Sequence, residues 1–294
     1  MTTLHLRKSN ISCRLAPALI VLVALAILIP WSAQAATFTT IDFPGAGLTA
    51  GQGNNASGDM VGFYTADPGG APPDHGYLFA RGAFLTIDVP GAVDTTCRGI
   101  NSRGDIVGEY DDGVTSTHGY LRSGNVFTTI DFPGAVDTFP NAINASGNIV
   151  GFWDDGVSTH GFLRDNHGVF TAINYPGATD TQAYGINDKG DIVGRYTSDG
   201  FLSTHGFLLS KQGRFSTIDV PSEVNTSARS INSSGDIVGT YAGGNSFLFS
   251  KGAFTVTDVP GATLTNNRGI NARGDISGNY NDASGNAHGF VRTK

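Results

Sequence analysis

Apolar positions along residues 36–294 follow a pattern that returns six times. Each unit contains, with local departures, a segment of the type Gly-Ile-Asn, a turn of the form Asn-x-x-Gly, a run of the type Asp-Ile-Val-Gly, a stretch of the type His-Gly-Phe-Leu and one of the type FTTIDFPG. Short apolar runs bounded by turn residues read as strands, since helices need longer runs with a period near 3.6. In the turns, Asn55, Asn101, Asn144, Asn187, Asn232 and Asn271 can cap through their side chains, while Gly58, Gly104, Gly147, Gly190, Gly235 and Gly274 supply the left-handed residue. The Ile and Val that follow point to opposite faces of their strand, so a sheet apolar at both is covered on both sides. The FTTIDFPG strand ends at Pro44, Pro90, Pro133, Pro176, Pro221 or Pro260, and proline, which cannot donate to a ladder, belongs at an outer edge. Four strands in some 40–50 residues, covered on both faces by their neighbours, form a propeller blade.

The FTTIDFPG stretches begin at Phe38, Phe84, Phe127, Phe170, Phe215 and Phe254, with spacings of 46, 43, 43, 45 and 39 residues. Six units therefore fill residues 36–294 as a single domain without a linker. The first begins at a fourth-strand motif and the last stops just after a third-strand motif, His288 to Val291. Residues 38–43 are accordingly expected to pair with 288–291, closing a six-bladed β-propeller; an open β-repeat array is the alternative. Composition supports the all-β class: 41 Gly, and 23 Asp against 2 Glu, favour turns over helix interiors.

Ahead of the repeats, Arg7, Lys8 and Arg14 precede an apolar run from Leu15 to Ile29, followed by Ala33-Gln34-Ala35. This reads as a signal peptide over residues 1–35, and so as a secreted or periplasmic protein with no membrane attachment after cleavage; an uncleaved signal anchor is the alternative. Without that segment 15 basic residues face 25 acidic ones, which excludes nucleic acid as an expected partner. Only Cys97 remains, read as a small buried hydrophobe.

The composite pattern GIN..GDIVG.Y......HGFL....G.FTTIDFPGA resembles the HAF repeat of secreted bacterial proteins, the probable extracellular repeat family. The resemblance covers all six units and implies an extracellular repeat architecture, without catalytic residues to carry over. Unit one departs from it with Gly-Gln-Gly-Asn-Asn, and unit five carries Asn245-Ser246 where the others have His-Gly.

Candidate chemistry is sparse. His75, His118, His160, His205 and His288 recur once per unit, which marks a hydrogen bond internal to each blade, with Asp42, Asp88, Asp131, Asn174, Asp219 and Asp258 as candidate acceptors. The Asp-rich loops, such as YDDGVTSTHG, lack the spacing of calcium motifs, and no metal or cofactor is expected. No nucleophile elbow, phosphate-binding loop or HExxH motif is present. Asn55, Asn144, Asn225 and Asn232 match glycosylation acceptors by composition only.

Positions that vary while their neighbours repeat are the better guide, because the repeated residues build the blade. Three residues before each turn Asn stand Gln52, Arg98, Asn141, Tyr184, Arg229 and Arg268; before the aromatic of the second strand stand Phe63, Glu109, Phe152, Arg195, Thr240 and Asn279. In a propeller the first strand lines the axis, so the first set is the candidate ligand site. Arg98, Arg229 and Arg268 would hold an anionic ligand or acidic saccharide, with Tyr184 as a stacking surface. The rival arrangement has each Arg pointing between blades to a local Asp. The expected function is a secreted non-enzymatic propeller that binds a ligand or macromolecular partner at the channel mouth. An extracellular lyase or hydrolase, and a structural or adhesive matrix protein, are the alternatives.

Overall fold

The computed structural model describes Met1 and residues 36–294 other than 68, 70, 115 and 199–202. The expected signal peptide lies outside the described residues. Among those described, twenty-four strands form six four-stranded antiparallel sheets; five follow chain order from inside to outside, and the sixth has the N-terminal strand as its outermost member. In blade 2 the order is Asp94–Ile100, Ile106–Asp111, Thr117–Ser123 and Val126–Thr129. The innermost strands of the six blades are Leu48–Asn54, Asp94–Ile100, Asp137–Ile143, Asp180–Ile186, Ser227–Ile231 and Leu264–Ile270. Each packs against the innermost strands of its two neighbours, and that of blade 6 packs against that of blade 1, so the ring is closed.

Closure is made by the N-terminal strand Thr37–Ile41, which pairs with Ala287–Thr293 from Thr37 opposite Thr293 to Ile41 opposite Gly289. The ladder ends one residue short of Asp42, whose carboxylate instead binds His288 Nδ1 at 2.9 Å. The chain is thus the all-β, six-bladed propeller that the repeat pattern predicts, and the open array is excluded.

The interior follows from the strand pattern. Each third strand buries one aromatic ring, Tyr77, Tyr120, Phe162, Phe207, Phe247 or Phe290, and each second strand buries its first two residues. The two go to different places: Val107 leaves its own blade to pack on Ile130, Ile143, Ile149 and Phe162 of the seam with blade 3, while Ile106 joins Val61, Ile100 and Tyr120 on the other side. Burying each such side chain contributes about 1.5–3 kcal/mol, so the apolar seams help to hold the blades in the ring. The seam between blades 6 and 1 has Ser277 in the valine position, its hydroxyl donating to the Gln52 carbonyl at 2.7 Å.

The recurring histidines bind the fourth-strand residues predicted for them. His75, His118, His205 and His288 reach Asp88, Asp131, Asp219 and Asp42, and His160 reaches Asn174, with Nδ1 to oxygen distances of 2.7–3.0 Å. In blade 5 Asp258 accepts the Ser246 amide at 2.7 Å in place of an imidazole. Cys97 is fully buried, and burial pushes its thiol up to about 12, so it is an inert core residue. The Asp-rich loops cap themselves, as where Asp111 and Asp112 accept the amides of Gly113 and Val114.

Candidate functional site

Every innermost strand contains a one-residue bulge. In blade 2 Cys97 lies opposite Gly108 and Gly99 opposite Val107, leaving Arg98 without a place in the ladder. The same shift falls at Asn141, Tyr184, Arg229 and Arg268, and between Gly51 and Asn54 in blade 1. A bulge turns the extra residue out of the regular alternation. Here that direction is the channel. The bulge also brings the backbones of neighbouring blades together: a Cβ on Gly99 would lie 2.8 Å from the Asn141 carbonyl oxygen and 2.9 Å from the Ala142 Cα.

All six residues of the first varying set, Gln52, Arg98, Asn141, Tyr184, Arg229 and Arg268, line one cavity of about 370 Å³. Of the second set, Glu109, Phe152 and Arg195 join them, whereas Phe63, Thr240 and Asn279 are not part of its lining. Phe139 and Gln182 complete the wall and were not foreseen. They stand two residues before the bulge, where the other units carry Ala50, Thr96, Ser227 and Asn266, so the same variability marked that position too.

The four arginines of the cavity are not equivalent. Arg98 donates Nε to both carboxylate oxygens of Glu109, at 2.7 and 3.0 Å, and its Nη2 lies 2.5 Å from Oε1. Burial opposes the charge on Arg98, but Glu109 more than offsets it, and its guanidinium holds the proton more tightly than a free arginine. The rival arrangement, a local acidic partner, therefore holds for Arg98, with Glu in place of Asp and inside the channel rather than between blades. Arg195 donates Nε to the side-chain oxygen Oε1 of Gln182 at 3.0 Å.

Arg229 and Arg268 differ from both. Among the described residues neither makes an ion pair, and the Nε of each is buried without a hydrogen-bond partner. Burial first, and the neighbouring guanidiniums with it, lower the pKa of both, that of Arg268 the more strongly. The Arg229 guanidinium lies over the Tyr184 ring, 4.2 Å from its centroid, and the Tyr184 hydroxyl donates to Gln182 Oε1. That corrects the expected role of Tyr184: one face of its ring is taken by Arg229, so it props up a cation and does not offer that face to a ligand. The free aromatic wall is Phe139 and Phe152, stacked with centroids 4.6 Å apart.

Four guanidiniums against one carboxylate leave the cavity strongly cationic inside an acidic protein. The geometry suits carboxylate or phosphate oxygens, which guanidinium forks bind bidentately. Among the described residues no His, Ser, Cys or Asp lines the cavity, and the carboxylate there is held by Arg98, so this lining pairs no nucleophile with a base.

Beyond this cavity the channel narrows through a layer containing Ile100, Ile143, Ile186, Ile231, Ile270 and, in blade 1, Asn54. It ends at the six turn asparagines, where Asn55, Asn144 and Asn232 are buried and so closed to glycosylation.

Solved structures of similar architecture include a catalytically inactive virginiamycin B lyase from Staphylococcus aureus with quinupristin, 10% identical, with a TM-score of 0.52 over 88% of this chain and 100% of that one. The lectin of Aleuria aurantia in complex with Fucα1-6GlcNAc is also 10% identical, with a TM-score of 0.52 over 86% and 93% of the two chains. At such identity the likeness shows the propeller fold and no more. No protein-family model and no curated protein matches the sequence.

Proposed function

We propose that this chain is an exported, non-catalytic propeller of the HAF-repeat kind that binds an anionic ligand in its channel, with Arg229 and Arg268 as the principal contacts. The observation that carries the reading is the pair of buried, unpartnered Nε groups on two arginines that have no acidic partner among the described residues. An unpaired buried cation destabilises the empty protein, and an arriving oxyanion removes that cost. Arg98 is already neutralised and plays the smaller part. Export rests on the leader-like residues 1–35, and mass analysis of the processed protein should find Ala36 at its N-terminus. The absence of a nucleophile and base in the lining weighs against the lyase or hydrolase alternative, and a cavity of varied charged residues weighs against a purely structural role.

The test is thermal and calorimetric titration with phosphate, sulfate and citrate. Anything that binds only the folded state raises its melting temperature. At least one of these anions should stabilise the protein, and replacing both Arg229 and Arg268 by Gln should abolish the response. An unchanged response in the double variant would overturn the reading.

A further inference from the structure

The cavity is two-sided. Blades 4, 5 and 6 contribute Arg195, Arg229 and Arg268, whereas blade 2 contributes an arginine already tied to Glu109 and blade 3 the stacked rings of Phe139 and Phe152. Three side-chain amides complete the lining, and that of Gln182 is already spent on Arg195, Tyr184 and Thr159. Asn141 spends its Nδ2 on the Ala183 carbonyl at 3.0 Å, and among the described residues no hydrogen bond engages its Oδ1 or the Gln52 amide. A bare inorganic anion would satisfy the arginines and leave the aromatic wall and these amides unused. An aryl carboxylate would cover the wall but still leave the amides without partners. A pyranose ring with a carboxylate matches all three features, since it has an apolar C–H face, hydroxyl groups and a planar anionic end.

Resting on the anion-binding reading above, we infer that the ligand is a sugar acid of the uronate type. Its carboxylate lies on Arg229 and Arg268, one face of its ring lies against Phe152, and its hydroxyls reach Gln52 and Asn141. Size agrees: a cavity of about 370 Å³ is at the small end of ligand pockets, which suits one or two sugar rings entering from the mouth. Glu109 then sets direction and charge. It is buried at 7% exposure on the side away from Arg229 and Arg268 and ties up Arg98 in a pair that is neutral as a whole, so a second carboxylate at that end of the ligand would find no free cation. The site therefore favours one carboxylate over two.

Calorimetry of the whole protein with D-galacturonate, D-glucuronate, galactose, glucose, acetate and galactarate tests this. At least one uronate should bind about tenfold or more tightly than its neutral sugar, than acetate and than galactarate, because sites built around hydroxyl and carboxylate contacts discriminate strongly against ligands that lack them. Phe152→Leu should weaken uronate binding by about tenfold and phosphate binding by much less, and Glu109→Gln should improve galactarate binding. Acetate or phosphate binding as tightly as both uronates would overturn the sugar-acid assignment while leaving an anion site. Galactose or glucose binding as tightly as its uronate would overturn it by making the carboxylate irrelevant. If no anion binds at all, the functional reading falls with it. The panel on the unmodified protein decides the matter even if Phe152→Leu fails to fold.

Discussion

The two ends of the channel are built from the same six strands and obey opposite rules. At one end stand six asparagines. Each accepts turn amides through its Oδ1, as Asn101 does from Arg103 and Asp105 at 2.9 and 3.0 Å. Each also donates Nδ2 to the backbone carbonyl of the corresponding asparagine in the next blade, at 2.9–3.3 Å, and the bond from Asn271 to Asn55 completes the circle. Three residues away, at the bulge, stand Gln52, Arg98, Asn141, Tyr184, Arg229 and Arg268, no more than three of them alike. The asparagine serves its own turn and its neighbour's backbone at once, so every blade requires the same residue. The bulge residue has no place in the ladder and turns toward the channel, which frees it to differ from blade to blade.

If the asparagine circle alone closed the ring, losing the N-terminal strand would matter little. The structure says otherwise, because Thr37–Ile41 carries a ladder, the buried Ile41 and the Asp42 partner of His288. Deleting residues 37–44 should lower the melting temperature by more than ~10 °C or abolish a cooperative transition, several times the effect of any single substitution below. A loss of only a degree or two in calorimetry would mean that the circle is the true closure.

The comparison of the two ends can be put directly to the test with two alanine variants. Asn101→Ala leaves the amides of Arg103 and Asp105 and the Asn144 carbonyl short of partners in a buried site, and should cost about 3 kcal/mol. Asn141→Ala loses one bond to the Ala183 carbonyl beside an open cavity and should cost about 1 kcal/mol or less. Equal losses in denaturant titration would remove the distinction between the building end and the binding end.

Much of this was legible in the sequence because it is local. Turn chemistry, the placement of proline and the period of the repeat each report on a few adjacent residues, and together they specified the blade, its four strands and the closure. The variable position pointed to the channel for the same reason. The bulge was not legible: an extra residue in one strand leaves the alternation of apolar positions on either side intact, and it shows only in the register with the partner strand. Nor was the division of labour among the arginines. Whether Arg98 meets Glu109 depends on the way the bulge turns it within blade 2, and whether Arg229 covers Tyr184 on the distance between two blades; no spacing within a unit encodes either. Phe139 and Gln182 were overlooked because at that position unit one has Ala50 and unit two Thr96, small residues that resemble ordinary strand filling.

At the binding end itself, the empty protein should carry a measurable cost that the building end does not. Arg268 is half-buried with other guanidiniums nearby, its enclosed Nε has no partner, and its pKa is pulled well down. Arg268→Gln should therefore stabilise the ligand-free protein by roughly 0.5–1.5 kcal/mol while weakening its stabilisation by phosphate. Destabilisation by this substitution would mean that Arg268 supports the channel wall and is not held ready for a ligand.

The smallest expected effect concerns the other repeated residue, the histidine, which differs from the asparagine in having an exception at Asn245 of blade 5. That exception implies a blade can stand without it. His118 shows how little is at stake: burial pulls its pKa down, but Asp131 at 2.9 Å and Asp112 at 3.6 Å outweigh burial and hold it above the usual imidazole value of about 6.5. Because the folded pKa lies above the unfolded one, the stabilisation is complete below the unfolded value and fades as the pH rises through the folded value. The site is partly exposed and screened, so the loss should amount to a few tenths of a kcal/mol. His118→Gln should lack this dependence, and its Asp131 stays satisfied through the Gly119 amide at 3.1 Å, as Asp258 does through Ser246. Denaturant titrations at pH 5.5 and 8.5 would measure both proteins. A fall of more than ~1 kcal/mol in the unmodified protein that His118→Gln abolishes would place the histidine beside the asparagine as a residue the ring cannot spare.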